Sequence, residues 1–266
     1  MAMLLLPVII IILFSFWKQT FLTVDHSFRL DNYRAALTQP IYRDLFLRSL
    51  WISLTVSVAT VVMAYPVAWY ISFHGGRNKN LWLFLITVPF LTSYLLRVMS
   101  WKLVLGYNGV LNSLLLWLGL IHSPIESLLY NADSVIITLV HSWVAFAILP
   151  IFVSLEKIDR SLVEAGQDLG DGLFRSLTKI VLPLSLPGVT SAFLIVMIPT
   201  VGDYVTPKLV GGTEGVMIAS AIEVNFGRAM NWPLGAALSV TTMVLVASAA
   251  GLMVLALRLA VRGVRR

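Results

Sequence analysis

The chain has 266 residues, of which 58% are hydrophobic and only 12% charged, with a mean hydropathy of +0.88. Soluble domains carry about 25% charged and about 45–50% apolar residues, so a freely soluble enzyme, a soluble nucleic-acid binder and a disordered chain are excluded. The net charge of +6 reads as basic residues held on one side of a membrane, and the absence of cysteine rules out disulfides, thiol catalysis and thiolate metal sites.

A helix that crosses roughly 30 Å of hydrocarbon needs about 20 apolar residues, and the stretches between successive charges supply the candidates in chain order. Residues 1–17 are uncharged. They lack a basic leading region, and no small-residue cleavage site follows Trp17, so they are expected to be a retained short anchor rather than a signal peptide. Uncharged stretches follow at 49–73, 80–96, 134–155, 180–202 and 229–257, which makes six expected spans. A further one, 103–121, is interrupted by Gly106, Asn108, Gly109, Asn112 and Gly119, and its apolar block at 110–121 has the length of an interfacial or re-entrant segment. It stays outside the count. Pro66, Pro89, Pro150, Pro183, Pro187, Pro199 and Pro233 lie in or at the ends of these stretches. Each removes a backbone donor, which fits either packing kinks or bent helices around a pathway. With no internal repeat and no low-complexity tract, residues 1–266 read as one transmembrane domain.

With six spans and both ends on one side, one face receives the 74–79 turn, the 156–179 loop and the tail. That face holds ten basic residues against five acidic ones, whereas the other holds nine against eight in longer loops. The first face is therefore expected to be cytoplasmic, with both termini on it.

The polar island 156–183 lies between two apolar spans. Leu162, Ala165 and Leu169 recur at spacings of three and four, one stripe on a helix. Ser161 followed by Glu164 fits a capping box, which would start the helix at Ser161 and leave Ile158 in the preceding turn. Gly170-Asp171-Gly172 should break it, and a second short helix should carry Leu173, Phe174, Leu177 and Ile180 as far as Pro183. Such a stripe suits a partner's groove; it also suits a loop lying on the membrane surface, with Glu164 capping its own helix.

Glu164-Ala165-Gly166, then Gly170, then Ile180, Leu182 and Pro183 resemble the EAA loop of ABC importer permeases: E-A-A, three residues, G, nine residues, I-x-L-P. Six of seven fixed positions match, and the departure is Gly166 where Ala is usual. The resemblance extends over nearly the whole chain and is closest to permeases of the spermidine/putrescine type. Leu30-Asp31-Asn32-Tyr33 is similar to their segment before the second helix, and Leu111-Asn112-Ser113-Leu114-Leu115 to the stretch after the third. Asp203-Tyr204-Val205-Thr206-Pro207 with Gly211-Gly212 resembles their motif after the fifth. Asn231-Trp232-Pro233 stands where such chains often read Asp-Trp-Pro.

The resemblance implies an all-α, type I permease-like membrane fold with six core helices, in a bacterial inner membrane. It implies that Glu164, Ala165, Gly166, Asp168, Gly170, Ile180, Leu182 and Pro183 form the coupling element, seated in a cleft of an ATP-hydrolysing subunit. The implied partners are a second homologous permease, two ATPase subunits that bind ATP and Mg²⁺, and a periplasmic solute-binding protein. The chain has no G-x-x-x-x-G-K-[ST] and so shows no nucleotide site of its own; by the resemblance no cofactor and no catalytic residue are expected in it. A polyamine cargo would require carboxylates and aromatic faces. Asp203 and Tyr204 follow the fifth span, Glu223 precedes the sixth, and Trp101 and Tyr94 lie near Arg97 and Lys102. Asp203 fits a pathway carboxylate or a helix-end role; the aromatics fit an outer gate or an interfacial belt. Other cargoes of related permeases are opines, phosphonates, thiamine and ferric iron. A membrane-embedded enzyme is the rival of another class, but H-E-x-x-H and G-x-S-x-G are absent and His26, His74, His122 and His141 are scattered, so no metal site is expected. Gly202-Asp203 resembles the G-x-G-D of intramembrane aspartic proteases, but Thr200 replaces the first glycine.

Overall fold

Where lipid surrounds a chain, every backbone polar group must find its partner inside the protein, and helices do this within a single segment. The computed structural model describes residues 2–20 and 23–264, and accordingly is almost entirely helical. Helix α1 (Ala2–Ser15) is followed by an antiparallel hairpin of β1 (Lys18–Thr20) and β2 (Thr23–Asp25), in register Lys18↔Asp25. Next come α2 (Asp31–Thr38), α3 (Pro40–His74), α4 (Lys79–Thr87), α5 (Tyr94–Leu105), α6 (Val110–Trp117) and α7 (Ala132–Glu156). The order is completed by α8 (Arg160–Asp168), α9 (Leu173–Ser176), a π turn (Leu177–Val181), α10 (Leu182–Val201), α11 (Val205–Val210), α12 (Ile218–Gly227) and α13 (Trp232–Val264).

Four helices among the described residues are long and apolar enough to cross a membrane: Pro40–His74, Ala132–Glu156, Phe174–Val201 and Trp232–Ala256. They overlap the second, fourth, fifth and sixth expected spans. The third does not run straight through 80–96. After α4, a 3-10 turn (Val88–Leu91) containing Pro89 ends in extended backbone at Thr92, and the chain bends by 83° before α5. Counting that bent pair as one span gives five, and α1 adds a shorter apolar helix, Leu5–Ser15. Segment 103–121 forms no span-length helix: α5 stops at Leu105 and α6 covers eight residues.

The chain divides into two compact units, each drawn from three stretches: Met1–Ser53, Val98–Ile136 and Thr200–Ala249 in one, and Leu54–Arg97, Ile137–Pro199 and Ala250–Arg266 in the other. The first is built on a core of Ala36, Phe46, Val201, Ile218, Leu238 and Val246. Buried Ser49 on α3 accepts the Ile218 N–H at 2.7 Å, which satisfies a free donor at the start of α12.

In the second unit α7 and α10 meet at Gly188, where an added Cβ would lie 2.4 Å from Ser154 Cβ and 2.5 Å from the Pro150 carbonyl oxygen. Small residues at such a crossing let two backbones approach closely, the usual basis of helix association in lipid. Ser185, one turn earlier, is hydrogen-bonded to Tyr65 Oη at 2.9 Å, and its carbonyl accepts from Ser154 Oγ at 3.3 Å. Gly188→Val should therefore destabilise the protein by about 1–3 kcal/mol, the usual cost of overpacking a tight site. Gly251→Ala, on α13 with no atom within 4 Å of the added methyl, should leave stability unchanged or raised. Thermal unfolding of the detergent-solubilised protein checks both.

Candidate functional site

The 156–183 segment folds as a hairpin whose root is clamped. Glu156, the last residue of α7, accepts hydrogen bonds at Oε1 from Ser72 Oγ and Lys79 Nζ, both at 2.6 Å. Arg160 Nη2 donates to the Ser72 carbonyl at 3.0 Å, with its guanidinium 5.6 Å from the Phe73 ring. These bonds tie the end of α7 to the end of α3 and the start of α4.

Helix α8 starts one residue earlier than the capping-box reading, and Asp159, not Ser161, is its cap. The Asp159 backbone is extended, and its Oδ1 accepts the Ser161 N–H at 3.0 Å. Hydrogen bonds from the Ser161 backbone, then its side chain, hold the Asp159 carboxyl below the usual carboxylate range. The sign follows: a depressed value in the fold means the cap is fully effective above the ordinary aspartate pKa and is lost only as pH falls through the lowered one. Glu164 is released from capping duty and is exposed.

The far end of α8 is closed by a Schellman motif. The Asp171 N–H bonds to the Gly166 carbonyl at 3.0 Å and the Gly170 N–H to the Gln167 carbonyl at 2.9 Å. Gly170 sits at φ +90°, a conformation that glycine adopts without a Cβ penalty. Asp171 then pairs with Arg175 at 3.5 Å and Lys179 at 3.8 Å. The second arm does not stop at Pro183 as the sequence suggests. The π turn carries it into α10, with the Leu182 N–H reaching the Leu177 carbonyl five residues back. The wider turn opens the ladder where the proline lacks an N–H and its ring would crowd the preceding turn.

Gly166 faces inward between the two arms. A Cβ there would come within 2.7 Å of Ile180 Cδ1. The glycine thus brings α8 against the π turn, which gives a packing reason for its standing where Ala is usual. With the small residue inside, the apolar stripe is left outside: Leu162 is 49%, Leu169 88% and Phe174 79% exposed, and Ala165, Glu164 and Asp168 are exposed beside them. A groove of about 590 Å³ runs along the hairpin's root, lined by Pro150, Ser154, Lys157, Asp159, Leu162 and Gly188 among others.

The expected pathway residues have mixed fates. Asp203 Oδ1 accepts the N–H groups of Val205 at 2.9 Å and Thr206 at 3.3 Å, which caps α11. Glu223 on α12 is paired with Lys208 Nζ at 3.1 Å, and that ammonium lies 6.0 Å from the Tyr204 ring centre. Tyr204 and Glu223 thus meet at Lys208, a lysine that the sequence reading does not single out, while Asp203 turns to the start of α11. Trp101 and Tyr94 are both on α5 and half-buried. The cations near them rest on other rings: Arg97 is 4.6 Å from Phe90 and Lys102 5.8 Å from Tyr130.

Three further side chains organise chain breaks. Arg97 donates to the carbonyls of Phe90 (2.9 Å), Thr92 (3.2 Å) and Ser142 (3.3 Å), which fastens the bend before α5. Asn112, 1% exposed, accepts the Ile125 N–H at 2.9 Å and donates toward the carbonyls of Tyr107 (3.1 Å) and Ile125 (3.2 Å). Asn32 donates to the carbonyls of Ser15 and Trp17 at the end of α1, at 3.0 and 2.7 Å. For the two asparagines the available signal is an amide inside a family-like motif, where a buried carbonyl can hold it; Arg97 carries no such signal.

Several span-length apolar helices, one of them continuous with a polar hairpin, fit a membrane permease. The chain belongs to the family of binding-protein-dependent transport system inner membrane components, which it matches over residues 1–265. It is 37% identical over 242 residues to the spermidine/putrescine transport system permease protein PotB of Escherichia coli (strain K12), covering 89% of this chain and 86% of that one. In fold it matches a chain of a bacterial ABC transporter for the import of the acidic polysaccharide alginate, with a TM-score of 0.65 at 17% identity over 100% of this chain and 95% of that one. A second structure of a bacterial alginate ABC transporter, in complex with an alginate pentasaccharide-bound periplasmic protein, matches with a TM-score of 0.57 at 15% identity over 82% of each chain. The protein is thus an ABC importer permease, a multi-pass component of the inner membrane.

Gly166→Val should wedge α8 away from Ile180 and loosen the Schellman end. Amide hydrogen exchange at Gly170 and Asp171 should then speed up at least about tenfold, which corresponds to about 1.4 kcal/mol of local opening. Adding Ile180→Ala, which removes the colliding methyl, should restore most of the protection.

Proposed function

We propose that this chain is the permease of a polyamine importer, which moves a small cationic solute of the spermidine/putrescine kind from a periplasmic binding protein into the cytoplasm. The observation that carries the mechanism is the hairpin: its apolar stripe, with Glu164 and Asp168 beside it, is turned outward on a helix fixed at both ends. The stripe is the surface that enters a cleft of an ATPase subunit, with both chain termini on that same cytoplasmic side. Two such subunits bind ATP and Mg²⁺, and a second homologous permease completes the pathway. When ATP closes the two ATPase subunits, their clefts carry the hairpins inward. Because the second arm continues through the π turn into α10, displacement of the hairpin is displacement of a span. Similarity to PotB over most of the chain supports the cargo, and the binding-protein complex of the alginate transporter supports the outer partner.

Two experiments test this reading. Glu164→Lys places a cation in the docking surface, and Gly170→Pro cannot adopt φ +90°. Both variants should insert normally yet fall at least about tenfold in uptake by proteoliposomes, with the ATPase subunits lost on purification or hydrolysing without transport. Normal uptake with co-purifying ATPase would sink the coupling role. Asp203→Asn keeps a cap, since Asn and Asp serve equally well there, while removing the charge. Putrescine uptake should drop with assembly intact, and unchanged uptake would leave Asp203 a cap alone.

A further inference from the structure

Lys208 presents a primary ammonium on a four-carbon chain, the same group that ends an aminobutyl polyamine. Its Nζ is 3.1 Å from Glu223 Oε1 and 6.0 Å from the centre of the Tyr204 ring. A carboxylate on one side and an aromatic face on another are the two contacts by which proteins hold alkylammonium ions. The lysine comes from α11, one turn after Tyr204, and the glutamate from α12, so the site is assembled across two elements. Lys208 is 47% and Glu223 30% exposed in the side chain, and Tyr204 is 43% exposed, so all three groups lie at the surface of this chain. An exposed pair of this kind is worth little in stability and can exchange one ammonium for another.

We infer that Glu223 and Tyr204 form a primary-alkylammonium site, which Lys208 fills in the substrate-free protein and from which an ammonium end of the cargo displaces it. This inference rests on the polyamine reading and adds to it a specific site and a built-in competitor. Lys208 sets a threshold: a monovalent amine gains no more at this site than the tethered lysine already does, whereas a di- or triamine has further ammonium groups to bind elsewhere. Selectivity for polyamines over monoamines follows from that tethered competition.

The test uses the complete transporter in nanodiscs and n-butylammonium, a free copy of the lysine side chain. Saturation-transfer NMR should show n-butylammonium binding in Lys208→Ala at least about threefold more strongly than in the wild type, the ratio an exposed pair of this kind supports. Putrescine should displace it, n-butanol should not bind, and Lys208→Ala combined with Glu223→Gln should lose the signal. Lys208→Gln, which retains a hydrogen-bond donor toward Glu223, provides the same measurement if the alanine variant assembles poorly. Equal signals in wild type and both lysine variants, or a signal that survives Glu223→Gln or ignores putrescine, would overturn the site. Putrescine uptake by the wild-type transporter is the separate arm: its absence would sink the polyamine cargo, while the NMR outcome decides the ammonium site on its own terms.

Discussion

A backbone carbonyl or amide left open in hydrocarbon costs several kcal/mol, and this protein interrupts its helices repeatedly. At five of these breaks a single polar side chain takes up the open groups. Asn32 takes two carbonyls at the end of α1, and Arg97 takes three at the bend before α5. Asn112 holds the loop after α5, Asp203 caps α11, and Asn231 Oδ1 accepts the Leu234 N–H at 3.3 Å near the start of α13. In each case a group that would be expensive in lipid is placed where the backbone has lost its own partner, so two unfavourable terms cancel. The family-like motifs of the chain are largely these positions. Their chemistry is structural first, and any role in passage is superimposed on it.

The hairpin applies the same rule to a different end. The hairpin is stiffened along its length and open on one face. Stiffness comes from Asp159 at one end of α8, Gly170 at the other, and the Glu156–Ser72–Lys79 clamp at the root. Openness comes from Gly166: with the smallest residue against Ile180, the arms close on each other without needing the leucines, which stay outside. In an isolated soluble domain, Leu169 and Phe174 at such exposure would be an aggregation hazard, which is the physical basis for proposing a partner there.

The spans were legible because hydrocarbon thickness sets a length and lipid excludes charge, so uninterrupted apolar runs locate α3, α7, α10 and α13 directly. The break at 92–93 was not. Pro89 was visible, but the sharp turn depends on Arg97 reaching back to carbonyls, and a lone Arg at the end of an apolar run reads equally as an interfacial anchor. At the hairpin, spacing places the stripe and the glycine break, yet it assigns the cap to Ser161 and a capping duty to Glu164, which is exposed. Ser161 with Glu164 and Asp159 with Ser161 are both good capping patterns only two residues apart, and the Asp159 carboxylate is the one that accepts an amide hydrogen. Pro183 misled because a proline normally ends a helix, and a π turn has no signature in residue spacing. Around Glu223 the acid was legible, but its partner was not: Lys208 lies 15 residues away on a separate helix.

The departures from the family pattern bear on how far such patterns carry meaning. Asn231 replaces a frequent aspartate, yet its observed duty is to accept one amide hydrogen, for which Asn and Asp are equivalent caps. Removing that acid therefore costs the helix nothing and lowers the negative charge of this segment by one. Gly166 stands where such loops usually have alanine, at up to about 1 kcal/mol of helix propensity, and leaves room for the tip of the Ile180 side chain between the arms. Both substitutions keep the geometric task of the position while changing its chemistry. In this chain the two positions ask their side chains only for a hydrogen-bond acceptor or for room, so the charge carried at Asn231 is independent of its duty as a cap.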